Sequence, residues 1–410
     1  MIFTRYSMAF IVGIGLLVTF FSALTASAQS PVEQLGTFLK NGQGEIADQG
    51  FASVALDKAA AKEAHKLLWT NHVQRLKETR GKEMADKVIV LGKTKMKFHY
   101  QVFGQKPGGG RSLYISMHGG GGAPAAVNDQ QWENQKRLYK LDEGVYLVPR
   151  APTNTWNLWH QGHIDDFFAR LIENMVVFEN VNPDRVYIMG YSAGGDGVYQ
   201  LAPRMADRLA AAAMMAGHPN ETSPLGLRNI GFTLHMGERD SSYNRNTVAK
   251  KWKEQLAELQ KNDPQGYHHH VQIHAGKGHW MDRQDAVAIP WMAKITRNPY
   301  PNKIVWKQDD VVHDRFYWLA VDKELAGKRA EVVATLKGQT IQIEKSDVAK
   351  LKIRLNDEMV DMEKPVKVIV GGKEVFNAKV SRNIGTLART LSEDGDPKAV
   401  YAGEIEVAVK

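Results

Sequence analysis

The chain has 410 residues, 43% of them hydrophobic and 24% charged, which is enough apolar material for two or three packed units and excludes a disordered polypeptide. Its formal charge of +8 comes from lysines spread along the chain and interleaved with acids, so it favours solubility and weak attraction to acidic surfaces rather than nucleic-acid binding. There is no cysteine, which excludes disulfides, thiolate chemistry and cysteine-ligated metals.

The first 28 residues read as an export signal. Arg5 gives a positive start, Ala9 to Phe21 an apolar stretch, and Ala26-Ser27-Ala28 a small-residue site that places cleavage before Gln29. The alternative is retention of the segment as a membrane anchor. The expectation is an exported protein, periplasmic or extracellular, free of the membrane once the signal is removed. Residues 29–85 are expected to form a helical extension: a loose polar lead-in to Gln49, then a helix from Phe51 to Arg80 with Gly81 as its cap.

From Lys87 the pattern changes to strands. Val88–Leu91 and Met96–Phe103 flank a turn containing Gly92, and Ser112–Met117 reads as a central strand. It is followed by a helical stretch from Gln130 to Leu141, a strand at Val145–Pro149 and a helix from Asp165 to Phe178. The strand Val186–Gly190 leads into a helix from Gly194 to Met205. Strands at Ala211–Ala216, Phe232–Met236 and Val271–His274 complete the set, with a helix from Thr247 to Lys261 between the last two. Alternation of this kind predicts an α/β fold, a mainly parallel sheet with helices on both faces, over residues 86–299. After Asn298 the runs become short and β-rich, and Val366–Phe376 reads as a hairpin with glycines at its turn. Residues 300–410 are therefore expected to be a C-terminal β-sandwich-like domain.

Four features fall at strand ends, where an open parallel sheet presents its chemistry. Gly190-Tyr191-Ser192-Ala193-Gly194 is a Gly-x-Ser-x-Gly run between a strand and a helix. Such a turn presents a serine hydroxyl sharply and leaves the Ala193 N–H at a helix N-terminus, facing a developing oxyanion. His118-Gly119-Gly120-Gly121-Gly122 ends an earlier strand and offers N–H groups to a substrate carbonyl. Met236-Gly237-Glu238-Arg239-Asp240 supplies a carboxylate, Asp240 by preference and Glu238 as the second choice. Gly276-Lys277-Gly278-His279-Trp280 supplies a histidine in a short glycine-flanked loop. The chain holds 14 histidines, so the order Ser192, Asp240, His279 carries the signal rather than the residue type. His274 reads as structural. His268-His269-His270 reads as a solvated strand start, because neighbours on a strand point to opposite faces.

On these motifs residues 87–297 resemble the α/β-hydrolase superfamily, and within it the exported esterases of the polyhydroxybutyrate-depolymerase, feruloyl-esterase and prolyl-oligopeptidase-like groups. The resemblance implies that Ser192 is the nucleophile, His279 the general base and then acid, and Asp240 its orienting carboxylate. It also implies an oxyanion hole from the N–H of Ala193 and of Gly119 or Gly120, and no metal or organic cofactor. The candidate substrate-binding side chains are His118, Tyr191, Trp156, Trp159 and Trp280. Trp156 and Trp159 follow a strand end, and their alternative is simple packing beneath the loop. Asp165 and Asp166 read as helix-start acids rather than a glycosidase pair. Trp306, Phe316, Tyr317 and Trp318 are either core residues, the preferred reading, or a carbohydrate platform. The expected activity is hydrolysis of carboxylic esters, small or glycan-linked, through an acyl-enzyme. The alternatives are a prolyl-oligopeptidase-like peptidase and an inactive hydrolase fold that binds glycan or protein.

Overall fold

The computed structural model describes residues 1, 2, 4, 29–41 and 43–410. Residues 1–28, expected to be an export signal, lie outside the described residues apart from residues 1, 2 and 4. Two helices lead into the sheet: α1 (Pro31–Asn41) and α2 (Lys58–Asp86). The loose lead-in expected before Gln49 is thus largely helical. Pro31 occupies the first turn, where a missing N–H costs nothing, and Leu35 is buried. The second helix also differs from expectation. It begins at Asp57, whose side chain caps the Ala60 N–H, and runs through Gly81 to end at Lys87 in the left-handed conformation. Packing overrides the glycine there. Beyond Arg80, Glu83 of α2 still holds Arg170, and His72 and Arg80 both bond Glu173.

The central sheet is built from β1 (Val88–Leu91), β2 (Thr94–Phe103), β3 (Arg111–Met117), α3 (Ala125–Gln135), β4 (Gly144–Arg150), α4 (His163–Glu179), β5 (Val181–Tyr191) and α5 (Ala193–Arg204). It continues through β6 (Ala211–Met215), β7 (Gly231–Gly237), α6 (Arg245–Asn262), β8 (His269–His274) and α7 (Ala288–Met292). Strand order is β1-β2-β4-β3-β5-β6-β7-β8, and β2 alone runs against the others. β3, β4, β6 and β7 carry almost only buried side chains, as strands covered on both faces must. This is the α/β-hydrolase arrangement. The order reverses at β3, between β4 and β5, which opens a crevice at the carboxyl ends of β3 and β5.

The remainder holds β9 (Lys303–Lys307), β10 (Arg315–Phe316), β11 (Leu319–Ala320), β12 (Glu331–Lys337), β13 (Thr340–Ser346), β14 (Lys350–Leu355), β15 (Val366–Val370), β16 (Lys373–Ala378), α8 (Ile384–Asp394) and β17 (Gly403–Ala408). The strands form a five-stranded sheet, β16-β15-β13-β12-β9, and a four-stranded one, β10-β11-β14-β17. Helix α8 was not expected in this β-rich region. Asn383 caps it through the Thr386 N–H, and Ile384, Leu387 and Leu391 bury one face.

The core runs unbroken from the central sheet into these C-terminal sheets. Trp306, Phe316, Tyr317 and Trp318 are buried in it. Tyr317 donates to the Ala206 carbonyl and Trp318 to that of Pro301. They are core residues, so the carbohydrate-platform alternative does not hold. Arg297 joins the units by pairing with both Asp184 and Asp396.

Candidate active site

Pairing register brings the glycine-rich strand end to the serine. Met117 of β3 stands opposite Gly190 of β5. Two residues further along each chain, Gly119 lies beside Ser192, so that a Cβ on Gly119 would sit 3.3 Å from the serine Cβ. The turn itself is tight. A Cβ on Gly190 would meet the Gly194 carbonyl oxygen at 2.2 Å, and one on Gly194 would meet that of Met117 at 2.2 Å, so neither position accepts a side chain. Ser192 has φ 59° and ψ −121°, a conformation a non-glycine residue holds only when its surroundings fix it. Its N–H is tied to the Met215 carbonyl at 3.0 Å.

Ser192 Oγ lies 2.9 Å from His279 Nε2, and His279 Nδ1 lies 2.7 Å from Asp240 Oδ2. The acid and the histidine come from neighbouring strands. Gly237 of β7 pairs with His274 of β8, and the two loops leave the sheet side by side. A Cβ on Gly237 would strike the Gly278 carbonyl oxygen, which leaves no room for a side chain between the loops. Glu238, the second choice for the acid, is exposed and accepts the Gly276 N–H at 2.8 Å, so it shapes the histidine loop instead. The Arg245 guanidinium stands 4.0 Å from Asp240 Oδ1 and over the Tyr243 ring, and its Nε is buried without a partner among the described residues.

The N–H groups of Gly119, Gly120 and Ala193 have no acceptor among the described residues. Asn128, fully buried on α3, pins the glycine loop. Its Oδ1 accepts the Gly121 N–H at 2.9 Å, and its amide donates to the Gly121 and Ala123 carbonyls. Gly120 has φ 110°, and a Cβ there would collide with Asn128. Sequence reasoning missed Asn128. Its signal was an amide able to donate and accept, close behind a run of four glycines.

Three candidate substrate-binding residues are corrected by their burial. His118 is fully buried, its Nδ1–H donates to the Gly119 carbonyl at 2.6 Å and its Nε2 accepts the Ala151 N–H at 3.1 Å. Burial lowers its pKa to about 4, so the ring is neutral and braces the loop. Trp159 is fully buried as well and donates to the His118 carbonyl at 3.0 Å. Tyr191 is almost wholly buried, donates to the His279 carbonyl at 2.5 Å and accepts the Met281 N–H at 3.0 Å. All three support the site rather than face a ligand. Trp156 and Trp280, by contrast, are 63% and 50% exposed. Trp156 borders Gly121 and Gly122, and Trp280 leans on Tyr191.

Asp196, on the first turn of α5, was also missed. Its Oδ1 accepts the His218 N–H at 2.6 Å, and burial raises its pKa to about 6. His274 is buried against His235, in keeping with a structural role. Asp165 lies in the first turn of α4, as expected of a helix-start acid, and is also buried and bonded by Arg204 and His313.

Strand order and elbow together give the α/β-hydrolase fold. Residues 149–308 match the family model of the dienelactone hydrolases. No curated protein matches the chain in sequence. Among solved structures it is similar to a thermostable esterase, at 16% identity and TM-score 0.38, over 51% of this chain and 62% of that one. It is also similar to a feruloyl esterase module from Clostridium thermocellum, at 13% identity and TM-score 0.37, over 50% of this chain and 86% of that one. A poly(3-hydroxybutyrate) depolymerase from Bordetella parapertussis is similar at 14% identity and TM-score 0.37, over 50% of this chain and 86% of that one.

Proposed function

We propose that the protein is a serine hydrolase that cleaves carboxylic esters through an acyl-enzyme. The observation that carries this reading is the hydrogen-bonded row Ser192–His279–Asp240, at 2.9 and 2.7 Å, on a strained strand-to-helix elbow.

In the proposed reaction Ser192 Oγ attacks the ester carbonyl carbon as its proton passes to His279 Nε2. Asp240 holds the imidazole in the Nδ1–H tautomer and stabilises the imidazolium that forms. The tetrahedral oxyanion is received by the N–H of Ala193 with that of Gly119 or Gly120. As the carbon–oxygen bond to the alcohol breaks, His279 returns the proton to the leaving oxygen. Water then enters, loses a proton to His279 and attacks the acyl carbon. Collapse of the second tetrahedral intermediate frees the acid and gives Ser192 its proton back. The reaction as written uses no metal or organic cofactor.

The exposed Trp156 and Trp280 favour an ester with a planar or sugar ring on its acyl or alcohol side, free or glycan-linked. Export through residues 1–28 belongs to the same reading, and cell fractionation with N-terminal sequencing of the mature protein checks it. The activity is tested with p-nitrophenyl acetate, a feruloylated sugar and an aminoacyl-nitroanilide. Turnover of the esters, abolished by Ser192→Ala, is expected. Cleavage of the anilide alone would make the protein a peptidase.

A further inference from the structure

Trp156, an exposed aromatic beside the glycine loop, sits in a turn held from two directions. On one side, Trp159 fastens the turn to the catalytic unit through the His118 carbonyl. On the other, the turn is closed by Gln161, whose amide donates to Thr155 Oγ1 at 2.9 Å and to Asn157 Oδ1 at 3.0 Å, the two neighbours of Trp156. The His160 ring meets the Trp156 ring edge to face at 5.4 Å. The position of Trp156 therefore depends on residues 160–162.

A loop that follows β9 holds this segment at Gly162 and at Asp165. A Cβ on Gly162 would lie 3.4 Å from a Val311 methyl, so Val311 packs on the glycine itself. His313 bonds Asp165 Oδ2 at 2.8 Å. The other oxygen of Asp165 takes Arg204 Nη2 at 2.6 Å, and Arg204 Nη1 donates to the His160 carbonyl at 3.1 Å. Gln308 closes the loop from within, donating to the His313 carbonyl at 2.6 Å and accepting the His313 N–H at 3.0 Å. Asp165 and Arg204 are both buried, so the ion pair is rigid and poorly screened.

We infer that His313 is a positioning residue for substrate: through Asp165 and Arg204, and with Val311 beside it, the C-terminal unit sets the place of Trp156 and so the fit of ring-bearing esters. This gives the appended sheets a role in specificity without any contact to substrate. The inference rests on the ester-hydrolase reading of the site.

The experiment compares His313→Leu, His313→Gln and Val311→Ala with the unaltered protein on methyl ferulate, which carries a ring, and on ethyl acetate, which does not, both followed by pH-stat. His313 is partly exposed and Val311→Ala removes only two methyls, so the variants are checked for folding by thermal melting. His313→Leu and Val311→Ala are expected to raise KM for methyl ferulate about 2- to 30-fold, the range of coupling through packed networks. The values of kcat on both esters, and KM for ethyl acetate, stay near those of the unaltered protein. His313→Gln, which keeps a donor to Asp165, restores much of the loss. Unchanged KM for methyl ferulate in the folded variants, or an equal fall of kcat on both esters, overturns the inference while leaving the ester-hydrolase reading intact. Failure of the unaltered protein to cleave either ester overturns that reading first.

Discussion

The side chain of Asp240 is only 2% exposed, yet the His279 side chain that it bonds at 2.7 Å keeps 44% of its surface open. The acid is locked within the protein and the base faces the cleft, the division of labour that proton transfer requires. Asp240→Asn is therefore expected to lower kcat by about 10⁴-fold, because the amide favours the wrong imidazole tautomer. Glu238→Gln, which alters only the partner of the Gly276 N–H, leaves kcat near its original value. Steady-state kinetics on one ester distinguishes the two acids, and equal losses would show the assignment of the acid to be wrong.

Asn128 decides whether the glycine loop keeps its shape. Asn128→Ala removes the acceptor of the Gly121 N–H and the donor to two carbonyls. Loss of loop geometry is expected to cost about 10²-fold in kcat, comparable to losing one oxyanion donor. Binding of a small competitive inhibitor is expected to change little. A variant that retains full kcat would show that the loop is held by other means.

The two tryptophans of one turn should part in their effects. Trp159→Ala opens a cavity against Gly197 and frees the His118 carbonyl, so a loss of about 3–5 kcal/mol in stability is expected. Trp156→Ala leaves stability within about 0.5 kcal/mol and raises KM for ring-bearing esters. Thermal melting and kinetics on the pair test this, and a large drop in Tm for Trp156→Ala would contradict its placement at the surface.

Asp196 gives stability a pH dependence of definite sign. Its folded pKa is raised to about 6 by burial, above the ordinary carboxylate value of 3.8. The charged form is thus disfavoured in the folded state. Its contribution to stability is fully present below about pH 3.8 and is lost as pH rises through about 6. Asp196→Asn, which keeps an acceptor for the His218 N–H, is expected to raise Tm at pH 8 and to raise it clearly less at pH 4.5, where the loss has only begun. The reverse pattern would mean that Asp196 is stabilised as a carboxylate.

Much of the central unit is legible in local sequence because its signals are local. Gly190 and Gly194 are demanded by backbone contacts within a few residues or across one strand pair, and Asp240 and His279 stand in short glycine-containing loops just after β7 and β8. What escaped depends on distant packing. Trp156 and Trp159 lie three residues apart in one turn, and only Gly197 and the His118 carbonyl decide which is buried. His118 looks like a ligand-facing residue in sequence, but its two ring nitrogens are used by Gly119 and Ala151. Helix α8 had readable marks, Asn383 before it, Gly395 after it and Ile384, Leu387 and Leu391 along one face, but they stand among β-rich runs that set the expectation. Helix α1 is short, and its burial through Leu35 depends on what packs against it.

The most direct test of the central claim is labelling by a fluorophosphonate, which traps an activated serine covalently. After digestion, mass spectrometry is expected to find the adduct on the peptide carrying Ser192, with labelling lost in Ser192→Ala and strongly reduced in His279→Ala. An unlabelled folded protein, or an adduct on a different serine, would contradict the assignment of Ser192 as the nucleophile.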